Sequence, residues 1–288
     1  MPGLTTDQRS RYLEDGYLAL KALLLPADLQ PLIDDIAQGI DAKARQAHAE
    51  GRLKTLFDDE PFDRRLACLR EAMDDASEIE RTVTGKRLRT AGMFSVITHP
   101  AILDVVESVI GPEIMFHPQF NCQAKMPREN RSKIPWHQDL GFLRPEAAQT
   151  FMVNLWIPLV DVTVENGCLE VIAGSHRSDL KPHGPLPDFP APEHGILTEH
   201  LPPGDRLACP VRKGGAVLFQ HKTAHRSFPN RTDRIRWSID IRYSDPAKPS
   251  GRDEIPGLLV RSRARPASVL HSHLDWRKLW ERLDPDQY

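Results

Sequence analysis

Apolar residues recur along this chain with two periods, and the change between them divides it. Leu29, Leu32, Ile33, Ile36 and Ile40 are spaced 3, 1, 3 and 4 residues apart, one face of a helix, and Pro26 suits its first turn. Ile102, Val105, Val106 and Val109 repeat that pattern from about Pro100 to a stop at Gly111. A short apolar run, Tyr17 to Leu20, reads as a strand ahead of the first helix. From Glu113 the period shortens. Ile114 to Lys125, Phe151 to Val160, Cys168 to Ile172, Gly215 to Gln220 and Ile235 to Tyr243 are brief β-like runs bounded by Pro, Gly or Asn turns. Helical spacing returns at the end, where Trp276, Leu279, Trp280 and Leu283 share a face suited to docking on the body.

Several short strands separated by turns predict a mainly β fold with flanking helices, its core a closed or double-sheet jelly roll. One domain over 1–288 fits best: a mostly helical part over 1–112, the β-core over 113–245 and a helical tail over 246–288. Residues 179–204 carry seven prolines and little periodicity. A loop of that length is more often a lid or binding segment than idle chain.

Charge and composition narrow the partners. A formal net charge of −2 with 27% charged residues gives no reason to expect nucleic acid or an anionic membrane. The Arg-rich stretches 226–242 and 261–265 are local and read as solvated faces. The chain opens polar, with no signal-peptide pattern, and has no long apolar run. Cys68, Cys122, Cys168 and Cys209 are scattered without a Cys-x-x-Cys pair, so reduced thiols in a cytoplasmic protein are expected.

The chemistry concentrates in the run Ile134-Pro-Trp-His-Gln-Asp-Leu-Gly-Phe142. On an extended strand His137 and Asp139 fall on one side, so an imidazole and a carboxylate can meet one metal ion, with Trp136 and Phe142 as apolar surround. His-x-Asp alone is a short pattern that arises often by chance. His225 would complete a 2-His-1-carboxylate set, which leaves open positions on ferrous iron for oxygen and a co-substrate. Downstream, a Pro-Asn turn at 229–230 predicts a hairpin that brings Arg236 back near the metal. A guanidinium there can grip a carboxylate at two points.

These features together resemble the phytanoyl-CoA dioxygenase family of iron(II)- and 2-oxoglutarate-dependent oxygenases. The likeness is carried by Trp136-His-Gln-Asp139, by Asn166-Gly-Cys-Leu-Glu-Val-Ile-Ala-Gly-Ser-His176, by the His225 to Arg236 hairpin and by the opening Asp15-Gly-Tyr-Leu-Ala-Leu20. It spans most of residues 10–245 and implies a double-stranded β-helix holding one iron. Position by position, His137, Asp139 and His225 match the family's iron ligands, and Arg236 matches the arginine that pairs with the distal carboxylate of 2-oxoglutarate. Ser227 sits where the family often has a hydroxyl bonding that carboxylate, and Asn121, Gln123 and Trp156 are candidates for lining the co-substrate pocket. Register with Ser227, Asn230 and Arg236 favours His225 over His221 as ligand, and Arg236 over Arg234. His176 reads as structural, bonding its own turn; His117, His183 and His194 read as surface or pocket-lining residues. Lys125, Lys133 and Arg144 could meet an anion, but solvation is the favoured reading.

The resemblance implies hydroxylation, or a related oxidation, of a small metabolite with release of succinate and carbon dioxide. Halogenating relatives replace the carboxylate ligand by a small residue; Asp139 is intact, so hydroxylation is favoured. Segments 50–95 and 179–204 are where specificity is expected, because the shared core does not explain them. The competing readings are a non-catalytic jelly-roll sensor or binding module, an enzyme using zinc or manganese without oxygen chemistry, and, within the class, an acyl-CoA hydroxylase. Substrate identity and oligomeric state are not legible.

Overall fold

The change of period at residue 113 marks where helices give way to sheets. In the computed structural model, which describes residues 3–128, 134–186, 194–252 and 255–281, helix α1 (Thr6–Asp15) opens with a reciprocal cap. The Thr5 hydroxyl accepts from the Gln8 amide while the Gln8 side chain accepts from the Thr5 amide. Strand β1 (Tyr17–Leu20) follows, and a 3-10 turn over Pro26–Leu29 leads into α2 (Gln30–Ala49), which buries Leu32, Ile33, Ile36 and Ile40 as their spacing requires. Helices α3 (Arg65–Glu71), α4 (Ser77–Val83), α5 (Ala91–Ile97) and α6 (Pro100–Ile110) complete the helical layer. Residues 91–110 are apolar and long enough to suit a membrane span. The chain breaks them at Thr98–His99 into α5 and α6, whose buried side chains join the main core.

Twelve further strands follow: β2 (Ile114–Phe116), β3 (Asn121–Lys125), β4 (Ile134–His137), β5 (Val153–Pro158), β6 (Leu169–Ile172), β7 (His183–Pro185), β8 (His194–Ile196), β9 (Arg206–Cys209), β10 (Ala216–Gln220), β11 (His225–Ser227), β12 (Arg236–Ser244) and β13 (Leu258–Arg261), before the closing helix α7 (His273–Trp280). With β1 they form a seven-stranded sheet in the order β1-β10-β5-β12-β2-β13, with β3 also beside β12, a four-stranded sheet β4-β11-β6-β9 and a separate pair β7-β8. Every pairing is antiparallel, and the sheets do not close into a barrel. This is the expected jelly-roll core in its two-sheet form.

Strand β12 shows how the layers are made. Trp237, Ile239, Ile241 and Tyr243 belong to the large core shared with α2, α5, α6 and α7. Arg236, Ser238, Asp240 and Arg242 alternate with them and therefore lie on the opposite face, toward the smaller sheet. A second apolar cluster, including Trp156, Leu169, Val171, Val217 and Phe219, fills part of the space between the sheets.

Three expectations need correction. The run from Ile114 to Lys125 is two strands, because His117 to Phe120 leave the ladder. The tail is not purely helical, since β13 extends the large sheet beside β2. The Pro-rich stretch 179–204 contains a paired element, β7 with β8, whose three-residue strands are too short to show a period. Trp276 and Trp280 are buried as predicted, while Leu283 lies outside the described residues.

Candidate metal centre

Strand β4 ends at His137, yet Gln138 stays extended (φ −112, ψ 132), so the alternation continues one residue further. Asp139, the first residue of a 3-10 turn to Phe142, consequently returns to the side of His137. Across the ladder His225 is the direct partner of His137, and their ring centroids are 4.1 Å apart. One ligand atom from each of His137, Asp139 and His225 lies within 4.8 Å of the others.

The hydrogen bonds around the two rings decide which nitrogens face the cluster. His137 Nδ1 donates to the Pro135 carbonyl and His225 Nδ1 to the Thr223 carbonyl, each at 2.9 Å. That assignment leaves both Nε2 lone pairs for a metal. Burial holds the His225 imidazole down to about 3, with the neighbouring His137 adding to the effect, so it is neutral and ready to ligate. Burial works against a charge on Asp139, but Arg242 and the two imidazoles together outweigh it and hold the carboxyl well below its usual range. Arg242 Nη2 donates to Asp139 Oδ1 at 2.8 Å and Asn154 Nδ2 to Oδ2 at 2.5 Å. Two imidazoles and one carboxylate, with no thiolate among them, suit ferrous iron and would leave coordination positions open on it.

A cavity of about 170 Å³ opens on this cluster. Asn121, Gln123, Trp156 and Ser227 line it, so each predicted pocket residue is brought to the site. Arg236 is not part of the lining. It is fully buried, with its guanidinium carbon 5.2 Å from the centroid of Trp156, which does line the cavity. Its Nη1 donates to the Ser238 hydroxyl, while Nε and Nη2 are buried without a partner among the described residues. Arg234 points elsewhere and pairs with Asp63 at 3.2 Å. His221 is buried, its imidazole held down to about 4 by that burial, and it stands outside the three-residue cluster.

Several single-residue expectations fail for identifiable reasons. Trp136, one residue from His137, faces the other way and packs with Ile172, Ile196 and Ala224, leaving Phe142 beside His137 and Phe219 beside His225 as aromatic neighbours of the cluster. Lys125 is 4% exposed rather than solvated. His176 bonds the Leu13 carbonyl at 3.1 Å, tying its turn to α1 instead of bonding within it. His117 is fully buried, with Nε2 bonded to the Ser250 carbonyl at 2.8 Å. Lys133 lies outside the described residues. Arg242, Asn154 and Asp240 were not singled out, although Asp240 and Arg242 share the parity of Arg236 on β12, the signal that could have found them.

A jelly roll that sets two histidines and one aspartate around open coordination positions defines a class, the non-haem iron oxygenases. Two solved structures show the same fold. The apo form of ThoJ, a non-heme monooxygenase, matches with a TM-score of 0.67 at 22% identity, covering 95% of this chain and 92% of that one. SnoN, a non-heme alpha ketoglutarate dependent epimerase from nogalamycin biosynthesis, matches with a TM-score of 0.55 at 23% identity, covering 85% of each chain. The chain belongs to the phytanoyl-CoA dioxygenase family, whose profile matches residues 12–238. It is 27% identical over 253 residues to the peroxisomal phytanoyl-CoA dioxygenase of Homo sapiens, covering 84% of this chain and 68% of that protein. With that membership it is an enzyme, an iron(II)- and 2-oxoglutarate-dependent dioxygenase.

Proposed function

We propose that the enzyme hydroxylates an unactivated C–H bond of a small, polar metabolite. His137, Asp139 and His225 hold the iron, and Arg236 with Ser227 secures the distal carboxylate of 2-oxoglutarate. Bound iron supplies activation of dioxygen, one oxygen atom entering the product and the other entering succinate as carbon dioxide leaves. The protein positions the reactants and keeps water and stray substrates away. Trp156 and Phe142 furnish apolar wall for that purpose, while Asn121, Gln123, Asp240 and Arg242 furnish hydrogen-bonding groups.

The observation that carries the substrate class is the character of the cavity. Polar groups from β3 and β12 beside the three ligands favour a molecule bearing hydroxyl, amino or carboxylate groups over a bare acyl chain. The test is anaerobic loading with iron(II) and 2-oxoglutarate, watched by visible charge-transfer absorption. Air is then admitted with a panel of small polar metabolites and of acyl-CoA esters. Succinate release stimulated by members of the first group, with a product one oxygen heavier, supports the reading; stimulation by acyl-CoA esters alone overturns it. Arg236→Ala should weaken 2-oxoglutarate binding by roughly ten- to a hundred-fold, as loss of a charged two-point contact does, and leave iron binding intact. Unchanged affinity in a calorimetric titration would move the distal-carboxylate role away from Arg236.

A further inference from the structure

Lys125 and Arg236 are direct partners in the β3–β12 ladder, so their side chains leave the sheet on the same face. Both are buried, at 4% and 0% exposure. Among the described residues no carboxylate forms an ion pair with either one. A lysine beside a buried arginine in a low-dielectric interior holds its charge poorly, since the two would repel each other and lack their hydration, and Asp240 on β12 favours the charge of Arg236 alone. The arrangement calls for an anion. Lys125 Nζ donates to Ser227 Oγ and to the Phe228 carbonyl, each at 2.6 Å, and Ser227 lines the cavity at the metal cluster. Room for the lysine is made by Gly167, in the left-handed region at φ +97, where an added Cβ would sit 2.8 Å from Lys125 Cδ and 2.6 Å from the Phe228 oxygen.

We infer that Lys125 is a positioning residue and second positive charge for the distal carboxylate of 2-oxoglutarate, acting through Ser227. This rests on the co-substrate reading above. Because the ammonium N–H occupies a lone pair of Ser227 Oγ, the serine's own hydrogen is free to turn into the cavity and donate to the carboxylate. The unpaired Nε and Nη2 of Arg236 offer the remaining donors. Without the anion, burial and then Arg236 depress the lysine to about 6. The groups that bear on its charge are Arg236 on β12, which opposes it, and Cys168 at the start of β6, which favours it. A dianionic ligand reverses that balance, so binding at neutral pH draws a proton onto Lys125.

The experiment compares wild type with Lys125→Met, both loaded with iron(II) under argon. 2-Oxoglutarate and 2-oxobutyrate, which chelates through the same end but lacks the distal carboxylate, are titrated by calorimetry in buffers of differing ionisation enthalpy. The variant should bind 2-oxoglutarate about ten-fold more weakly, the worth of one charge-assisted contact, and bind 2-oxobutyrate as wild type does. The proton uptake that accompanies 2-oxoglutarate binding in wild type should vanish. Equal weakening of both ligands, or an unchanged 2-oxoglutarate affinity, overturns the inference and leaves Lys125 a structural tie. If wild type itself binds no 2-oxoglutarate, the co-substrate reading fails and the inference with it. Should Lys125→Met not fold, Lys125→Gln, which keeps a donor to Ser227 without the charge, carries the same comparison.

Discussion

Asp139 is as much a product of its neighbours as of its place in the His-x-Asp run. Arg242 and Asn154 each hold one of its carboxylate oxygens, fixing the orientation that the metal would meet and keeping the group ionised despite its burial. Removing the ligand differs from removing its support. His137→Ala should abolish iron(II) binding, whereas Arg242→Met should weaken it by roughly ten- to a hundred-fold, the usual cost of losing an outer partner. A ferrous titration under argon measures both, and an Arg242→Met protein with wild-type iron affinity would show that the ion pair has no part in holding the metal. His137 and Asp139 are legible because alternation in extended chain is a local rule, and His225 through the family resemblance and its register with Ser227, Asn230 and Arg236. Their supporters are not, since Arg242 and Asn154 reach Asp139 only through strand pairings that no local pattern records. Lys125 is solvated by the ordinary rule for lysine; the structure buries it because β3 lies beside the central strand β12 and the turn at Gly167 covers it.

At the scale of elements, Gly16 joins α1 to β1 and also receives a side chain from far along the chain. It takes the left-handed conformation at φ +77, and an added Cβ would lie 2.2 Å from His176 Nδ1. The histidine crosses over it to bond the Leu13 carbonyl, and the Gly174 amide donates to the Asp15 carbonyl at 2.8 Å. Gly16→Ala therefore faces two penalties, backbone strain of about 1 kcal/mol and a clash on top of it. His176→Ala removes the clash but leaves the strain. The double variant should accordingly be less destabilised than the two single changes sum to, measured by urea unfolding; simple additivity would place the ring elsewhere in solution. The helices over 30–49 and 100–110 are readable because their apolar faces repeat over several turns. The β7–β8 pair is not, because three-residue strands carry too few repeats to stand out, and neither is β13, because its partner β2, distant in sequence, decides that it joins the sheet.

Across the whole molecule the buried imidazoles share one consequence. His117 lies between the large sheet and the segment at Ser250, His221 follows β10, and His225 stands between the two sheets. Burial holds them down to about 3, about 4 and about 3, so the folded, metal-free protein keeps all three neutral at moderate acidity. The unfolded chain titrates them near pH 6.5. Above that pH neither state binds these protons and the stability they permit is fully present. Below it only the unfolded chain binds them, and stability falls by up to about 1.4 kcal/mol per pH unit for each group until the folded pKa is reached. Metal-free enzyme should therefore lose stability steadily between pH 6.5 and pH 4, read as a falling urea midpoint at constant slope m. Bound iron should raise that curve without flattening it, because a ligand that binds the folded state alone adds stability by mass action while His225 stays neutral in the fold throughout this range. His117→Gln separates the contributions: it lowers stability at neutral pH, yet its dependence on pH should be shallower by about one proton's worth, so the gap to wild type closes on acidification. A variant whose curve runs parallel to wild type would mean that His117 takes up its proton at the same pH in the fold as in the unfolded chain, its bond to the Ser250 carbonyl offsetting the burial around it.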